Sequence, residues 1–330
     1  METMRAVVLE GFGAEPALRS VPRPVPAPGE VLVRVASSGV NPLDVKISAG
    51  AAAHARVTPP MILGIDLAGT VAGVGDGVTR FAVGDEVYGM TGGVGDRPGS
   101  LAEYAAVDQD LLARKPGRLS MAEASALPLA VITAWEGLVD RADTREGQLV
   151  LVHGGAGGVG HVAVQLALAR RATVFATGTG ASLDTIARLG AQPIDYRTTP
   201  TEDYVASATG GEGFDVIFDT VGGATLDDSF AAARTYTGHV VSILGWGKHS
   251  LAPLSFRGAT YSGVFTLLPL LTGQGRAHHG EILAQAATLA EAGLLTPLVD
   301  PTPYSLETVA DAHRAVESGQ SAGKVVVQVG

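Results

Sequence analysis

The stretch Leu149–Gly160 reads LVLVHGGAGGVG, and it decides the fold of this 330-residue chain. Its apolar start predicts a buried strand, and its glycines predict a tight turn. The Ala-rich segment Val159–Arg171 that follows predicts a helix. The chain therefore contains a strand, a glycine-rich turn and a helix in direct succession.

The glycines of this unit fit the spacing GxGxxG. Gly155 allows the turn, Gly157 lets the backbone approach a diphosphate, and Gly160 lets the helix pack closely on its strand. Free N–H groups at a helix N-terminus attract anions, so the unit predicts a dinucleotide site rather than a merely flexible turn. The residues assigned to this site are Gly155, Gly157, Gly158, Val159 and Gly160.

Strand-like and helix-like segments alternate downstream of this unit. The strand-like segments are Thr173–Thr177, Phe214–Asp219 and His239–Leu244, and the helix-like segments are Leu183–Leu189 and Ala224–Arg234. Alternating units of this kind predict an α/β fold, with a doubly wound parallel sheet covered by helices on both faces. Ligands bind at the carboxyl ends of such strands, which makes Leu244 and Gly245 candidate cofactor residues.

Residues 1–120 have a different pattern. Val31–Val35 alternates like a half-buried strand, and the short apolar runs after it are separated by glycines, which predicts a small barrel or sandwich. Met121–Val139 has helical spacing, and Pro128 within it predicts a kink. The segment from residue 281 to the C-terminal end predicts two helices and a strand at Lys324–Val329.

Composition narrows the classes of function. The chain has no Cys, which excludes disulfides, a Cys-ligated zinc and a thiolate nucleophile. Its net charge of −10 disfavours sequence-independent binding of nucleic acid, which needs a basic surface. The charged N-terminal residues argue against a signal peptide, and the apolar stretch around Ala124–Trp135 is too short to span a bilayer. We therefore expect a cytoplasmic protein that binds neither nucleic acid nor membrane.

The end of the predicted second strand bears on the choice of cofactor. NAD-binding chains usually carry Asp or Glu there, roughly 20 residues after the glycine motif, to bind the ribose 2′-hydroxyl. Here residues 176–180 read ATGTG, without a carboxylate that would repel a 2′-phosphate. Hydroxyl groups in this loop can hydrogen-bond to that phosphate. We predict NADPH over NADH, with Thr177, Gly178 and Ser182 in the binding loop.

Several motifs recur together in one known family. They are SGVNPLD at 38–44, GIDLAG at 64–69, VGDEVYG at 83–89, TAWEGL at 133–138, GGVG at 157–160, ESG at 317–319 and GKVV at 323–326. As a set they resemble the zinc-free quinone oxidoreductase (zeta-crystallin-like) branch of the medium-chain dehydrogenase/reductase superfamily. The resemblance runs nearly end to end.

The resemblance implies a two-domain architecture. A GroES-like, β-rich catalytic domain would comprise residues 1–122 and 266–330, and a Rossmann NADP-binding domain would comprise residues 123–265. The active site would lie in the cleft between them. The resemblance also implies homodimers joined through edge strands, for which Tyr261–Phe265 is the candidate.

Two positions depart from the zinc-dependent members of that superfamily. Those members carry a Cys at or beside the position of Asn41 and a His near that of Ile65. Without a thiolate and an imidazole at these points, the usual catalytic zinc cannot assemble. We assign no metal.

The resemblance also supplies candidate residues around the nicotinamide. It places Asn41 and Asp44 in the cleft, although both residue types also cap turns. Lys46 is either a donor to the substrate or a solvated surface side chain. Thr133 would contact the nicotinamide ribose or amide, or else pack within a helix.

Three further residues are candidates for binding the cofactor. Tyr196 would stack beside the adenine, or else belong to the core. Phe265 and Lys324 are the other two.

These observations predict reduction of an electrophilic small molecule by hydride transfer from NADPH. A quinone or another conjugated enone delocalises the negative charge that develops, so it does not depend on a Lewis acid. Two alternatives remain: an enoyl reductase that acts on acyl thioesters, and a non-catalytic NADPH-binding protein with a structural or regulatory role.

Overall fold

The computed structural model describes residues 2–330. The chain forms two compact units: one comprises the chain up to Leu129 together with Leu267–Gly330, and the other comprises Ala130–Thr266. The sequence prediction places these boundaries after residues 122 and 265. Among the residues described, no helix is both long and apolar enough to cross a membrane.

The first unit begins with short strands and two helices. These elements are β1 (Thr3–Leu9), β2 (Ala17–Pro22), β3 (Glu30–Gly39), α1 (Pro42–Ser48), β4 (Met61–Ile62), β5 (Asp66–Val74), β6 (Glu86–Met90), β7 (Tyr104–Asp108), β8 (Leu112–Arg114) and α2 (Met121–Ser125). The pairing of β3 with β5 is antiparallel, and Val31, Val33 and Val35 are buried as their alternation predicts.

The second unit alternates strands and helices. Its elements are α3 (Pro128–Trp135), β9 (Leu149–Val152), α4 (Gly160–Ala169), β10 (Thr173–Gly178), α5 (Ala181–Arg188), β11 (Gln192–Asp195), α6 (Thr201–Thr209), β12 (Val216–Asp219), α7 (Ala224–Ala232), β13 (His239–Ser242), α8 (Ala252–Arg257) and β14 (Thr260–Gly263). The first of these helices contains the boundary between the units.

The six strands of this unit form one sheet in the order β11-β10-β9-β12-β13-β14, and every pairing is parallel. The strand order reverses between β9 and β12, which creates a crevice at the carboxyl ends of these two strands. Aromatic side chains fill part of the core, with the rings of Phe175 and Phe214 meeting edge to face at 5.7 Å. The α/β prediction is therefore confirmed.

The chain then returns to the first unit. The elements of this last part are α9 (Leu268–Thr272), α10 (Arg276–Glu291), β15 (Tyr304–Ser305), α11 (Val309–Ser318) and β16 (Val326–Gln328). Strand β16 pairs antiparallel with β3, so the last strand completes a seven-stranded sheet whose other strands come mainly from the start of the chain. The first unit is thus a β-rich body built from both ends of the chain.

The helical segment predicted over Met121–Val139 is broken rather than kinked. It ends at Ser125, restarts at Pro128, and continues as a π-helical turn over Glu136–Arg141. Proline has no N–H to continue the helical ladder, which explains the break.

Candidate active site

The glycine-rich turn after β9 is held by backbone hydrogen bonds, one to β10 and one within the turn. The N–H of Gly155 donates to the carbonyl oxygen of Thr177 at 3.0 Å, and the N–H of Gly157 donates to that of Gly154 at 2.9 Å. Within residues 2–330, the N–H groups of Gly158, Val159 and Gly160 have no hydrogen-bond partner. These three unbonded donors lie where α4 begins, and Gly157 and Gly158 are exposed. The turn therefore offers a set of N–H groups suited to an anion.

Two of the glycines are required by close packing. A Cβ atom on Gly155 would collide with the Cβ of Ala176, and one on Gly160 would collide with the carbonyl oxygen of Gly154. A side chain at either position would push the strand, turn and helix apart. This arrangement is the one that the GxGxxG spacing predicts.

Polar groups beneath the turn fix its start. The hydroxyl oxygen of Thr177 accepts from the N–H of Gly154 at 3.1 Å and lies 3.2 Å from Nδ1 of His153. The hydroxyl of Thr220 donates to the carbonyl oxygen of His153 at 2.7 Å. Burial lowers the pKa of His153 to about 4, so its ring is neutral near pH 7. The turn is thus anchored by hydroxyl groups from both neighbouring strand ends.

The hydroxyl groups predicted to meet a 2′-phosphate already have partners. Thr177 is only 3% exposed, and its hydroxyl faces the glycine turn. The Ser182 hydroxyl accepts from the N–H of Thr179 and donates to its carbonyl oxygen, both at 2.7 Å. Gly178 is buried, whereas the Tyr196 side chain is 56% exposed just after β11. Of these candidates, Tyr196 presents the most surface to a ligand.

The remaining cofactor candidates of the second unit lie on three different elements: after β13, within α3 and after β14. Leu244 follows β13, where its N–H donates to the Ser242 hydroxyl at 3.1 Å, and Gly245 comes next in the chain. Thr133 is buried within α3, and Phe265 is half-buried just after β14.

Sequence reasoning missed Asp219 at the end of β12. This fully buried carboxylate accepts from the N–H groups of Val221 and Gly222 and from the hydroxyl of Ser242. It shapes the loop at the point where the strand order reverses. Its position after an apolar strand was the available signal.

The first unit contains a buried polar cluster made by Asn41, Asp44, Asp66 and Lys324. Nζ of Lys324 donates to Oδ1 of Asn41, whose Nδ2 donates to Asp66 at 3.0 Å. The backbone N–H of Asn41 donates to Asp44 at 2.8 Å. An ammonium can only donate and a carboxylate can only accept, so these two neighbours fix the orientation of the Asn41 amide.

Burial of the cluster shifts the pKa values of its ionisable groups. Burial raises the pKa of Asp44 to about 7 and that of Asp66 to about 6. Burial lowers the pKa of Lys324, and the two carboxylates oppose that change. Oδ1 of Asp44 has no hydrogen-bond partner among residues 2–330. The cluster therefore holds a proton at a carboxyl group more readily than an exposed aspartate would.

The structure brings together Asn41, Asp44 and Lys324 of the predicted residues, but not Lys46. Lys46 is exposed on α1, two residues after the buried Asp44. Positions two apart on a helix point in nearly opposite directions, so both side chains cannot face the cluster.

Asp66 is a member of the cluster that the sequence analysis did not single out. It lies in the GIDLAG motif, and its other oxygen accepts from the N–H of Leu129 at 3.0 Å. A carboxylate between apolar residues at the start of a strand was the signal that could have found it.

The cluster does not fit a zinc ion. The Asn41 oxygen is bonded to an ammonium, which repels a metal cation, and Ile65 is a buried aliphatic residue. Residues 2–330 contain no group of three His, Cys, Asp or Glu side chains that could hold a metal.

Comparison with known proteins decides the family. A family model described as zinc-binding dehydrogenase matches residues 189–327, and one described as alcohol dehydrogenase GroES-like domain matches residues 27–117. The 2-methylene-furan-3-one reductase of Solanum lycopersicum is 36% identical over 306 residues, which are 90% of this chain and 71% of that protein. The chain belongs to the medium-chain dehydrogenase/reductase superfamily.

A second relative of this dehydrogenase/reductase is the chloroplastic NADPH-dependent alkenal/one oxidoreductase of Arabidopsis thaliana. It is 33% identical over 335 residues, which are 98% of this chain and 79% of that protein. Both relatives are consistent with a zinc-free, quinone oxidoreductase-like branch of the superfamily.

Solved structures give the same assignment. An alcohol dehydrogenase superfamily protein from Novosphingobium aromaticivorans is 54% identical with a TM-score of 0.97, covering 99% of this chain and 100% of that one. The quinone oxidoreductase from Coxiella burnetii is 28% identical with a TM-score of 0.83, covering all of both chains. The CurK enoyl reductase is 26% identical with a TM-score of 0.87, also covering all of both chains.

Proposed function

We propose that this chain is an NADPH-dependent oxidoreductase that reduces quinones or other conjugated enones by hydride transfer, without a zinc ion. The observation that carries the proposal is the glycine turn before α4, with three unbonded N–H groups. The names of its relatives, an alkenal/one oxidoreductase and a 2-methylene-furan-3-one reductase, support the substrate class.

The residues of the turn fit a dinucleotide. The N–H groups of Gly158, Val159 and Gly160 would hold the diphosphate at the start of α4, where the helix dipole favours negative charge. When bound, NADPH supplies the hydride. Strand β10 ends at Gly178 without a carboxylate, which supports NADPH over NADH because no acid repels a 2′-phosphate there.

Conjugated hydride acceptors such as enones and quinones suit a protein whose polar cluster does not fit a zinc ion. Hydride addition to the β-carbon of an enone moves negative charge through the conjugated system to the oxygen, and solvent supplies the proton that completes the reduction. A saturated ketone lacks this delocalisation and depends more on a Lewis acid. We therefore expect enones and quinones to be better substrates than simple ketones or alcohols.

The purified protein can be tested with both nicotinamide cofactors against a panel of acceptors. We expect NADPH oxidation with a simple quinone and with a short alkenal, a smaller kcat/KM with NADH, and no turnover of a saturated ketone. Metal analysis of the same sample should find no stoichiometric zinc. Absence of NADPH oxidation with every quinone and enone would defeat the proposal.

A second candidate function is reduction of an enoyl thioester, favoured by the likeness to the CurK enoyl reductase. An N-acetylcysteamine enoyl thioester should be included in the same panel. A larger kcat/KM for that thioester than for free enones would favour the second candidate. Tight binding of NADPH without turnover of any acceptor would instead indicate a non-catalytic role.

We also propose that the chain forms homodimers through the free edge of β14. This strand is at the end of the six-stranded sheet, so its outer backbone groups are available to pair with another strand.

A further inference from the structure

The hydroxyl of Thr177 is the starting point for an inference about how the cofactor site is built. By its sequence position this residue is a candidate to bind a 2′-phosphate. The structure instead buries it to 3% exposure at the end of β10. Its oxygen accepts the N–H of Gly154 at 3.1 Å and contacts Nδ1 of the neutral His153 at 3.2 Å.

A second hydroxyl holds the same turn from the other side. Thr220, directly after β12, donates to the carbonyl oxygen of His153 at 2.7 Å. The two threonines therefore bond to the two sides of one peptide group at the start of the turn, Thr177 to the N–H of Gly154 and Thr220 to the carbonyl oxygen of His153. The turn is clamped between the two strands that flank β9.

The clamp also fixes the position of the N–H groups at the other end of the turn. The carbonyl oxygen of Gly154 accepts from the N–H of Gly157 at 2.9 Å, so fixing Gly154 also fixes Gly157. The N–H groups of the next three residues are the unbonded donors of the site. The position of these donors thus depends on the hydrogen bond that Thr177 makes underneath.

We propose that Thr177 and Thr220 are positioning residues that hold the glycine turn in its diphosphate-binding shape, and that Thr177 does not select between NADPH and NADH. This inference rests on the proposed function only for the identity of the cofactor. It predicts that loss of the Thr177 hydroxyl weakens binding of every adenine dinucleotide by the same factor.

The test measures binding of two nucleotide fragments, ADP and 2′-phospho-ADP, by isothermal titration. Both carry the 5′-diphosphate, and they differ only in the 2′-phosphate of the second. We expect Thr177→Val to raise both dissociation constants about fivefold, since a buried hydrogen bond is lost, and to leave their ratio unchanged. Thr177→Ser keeps the hydroxyl and should bind like the wild type, and Thr220→Val should weaken both ligands in the same way.

Thr173→Val is the matched control. Thr173 lies at the other end of the same strand, is exposed, and should tolerate the same substitution without effect on either ligand. In turnover assays, Thr177→Val should raise KM for both cofactors while kcat changes little, which a general loss of folding would not produce.

Three outcomes would overturn the proposal. A Thr177→Val variant that loses affinity for 2′-phospho-ADP but not for ADP would show that this hydroxyl contacts the 2′-phosphate. Unchanged affinity for both ligands would show that the clamp does not shape the turn. A wild-type protein that binds neither ligand would remove the nucleotide site itself. Binding of ADP by a protein that reduces no enone would contradict the proposed function and leave this inference standing.

Discussion

At the scale of single residues, Lys324 is the side chain whose removal should destabilise the buried polar cluster most. It is 5% exposed, and its ammonium is the positive charge near Asp44 and Asp66. Removing one member of a buried charged group leaves the others uncompensated, which is more destabilising than the loss of a surface ion pair.

We predict that Lys324→Met lowers the free energy of unfolding by about 3 kcal/mol at pH 8. The loss should shrink at pH 5, because the two carboxyl groups then take up protons and no longer need a counter-charge. Urea unfolding at the two pH values measures both quantities. Lys115→Met is the control: that side chain is 5% exposed, donates to the carbonyl oxygens of Pro116 and Leu119, and pairs at 3.2 Å with the 54% exposed Glu86 rather than with buried carboxylates, so the effect of its loss should depend on pH less than that of Lys324→Met.

The raised pKa of Asp44 makes its contribution to the free energy of unfolding fall as the pH rises. Burial raises its pKa to about 7, above the value of about 4 in an unfolded chain, so the native state binds the proton more tightly. This contribution to stability is fully present below pH 4 and is lost as the pH rises through 7. His153 acts in the opposite sense, because burial lowers its pKa to about 4 and its contribution is lost as the pH falls.

The variant Asp44→Asn isolates the aspartate. We predict that the unfolding free energy of the wild type, minus that of the variant, falls by about 2 to 4 kcal/mol between pH 4 and pH 8. Urea titrations across this range provide the measurement. A difference that is constant with pH, or that rises, contradicts the assignment.

Single-residue contacts were only partly predictable from the sequence. Asn41 and Asp44 were recognised through a motif, but the contact of Asn41 with Lys324 joins residues 283 positions apart. Lysines are rarely buried, so nothing local in the sequence indicated that this one would be. Lys46 was predicted to be either a donor to the substrate or a solvated surface side chain, and the structure places it on the exposed face of α1.

At the scale of secondary structure elements, different glycines of the turn serve packing and ligand binding. Gly160 is buried at the start of α4, where an added Cβ would meet the backbone of Gly154. Gly157 is exposed, and an added Cβ would lie 3.1 Å from the carbonyl oxygen of Gly154. Gly160 is therefore required for close packing of the helix on the turn, whereas Gly157 is required on the exposed side of the turn, where a ligand would bind.

We predict that Gly160→Ala lowers the free energy of unfolding by about 2 kcal/mol or more, because helix and turn must move apart. Gly157→Ala should keep most of the stability but weaken ADP binding, since the new methyl group lies on the exposed side of the turn. Thermal unfolding and ADP titration of both variants test this. Equal effects of the two changes on both measurements would show that the distinction is wrong.

Elements with a strong local signal were predicted well. Strand β9, the glycine turn and α4 follow directly from the apolar run, the glycine spacing and the Ala-rich segment. Strand β11 was missed because it contains Pro193, and proline normally argues against a strand. It is tolerated here because β11 is an edge strand. Helix α1 was missed because a seven-residue helix is too short to show a period.

At the scale of the whole molecule, the free edge of β14 is the clearest route to self-association. The N–H groups of Thr260 and Val264 donate towards β13, to the carbonyl oxygens of Gly238 and Ser242. Alternate residues of a strand point their N–H groups in opposite directions, so that of Gly263 faces away from the sheet. The aromatic side chains of Tyr236 and Phe256, from neighbouring segments, are largely exposed.

We predict a homodimer that Gly263→Pro disrupts, because proline removes an outward N–H without touching the ladder to β13. Gly263→Ala keeps that N–H, and its Cβ has ordinary space, so it should remain dimeric. Size-exclusion chromatography with light scattering distinguishes the two forms. A wild type that elutes as a monomer at micromolar concentration would refute the proposal.

The return of β16 to pair with β3 has a consequence for synthesis on the ribosome. Residues 130–266 form a contiguous unit, so they can reach their native state while the rest of the chain is still being made. The first unit cannot, because β16 and the Lys324 ammonium that faces Asp44 and Asp66 are synthesised after residues 130–266. Until then Asp44 and Asp66 lack the cation that accompanies them in the folded protein.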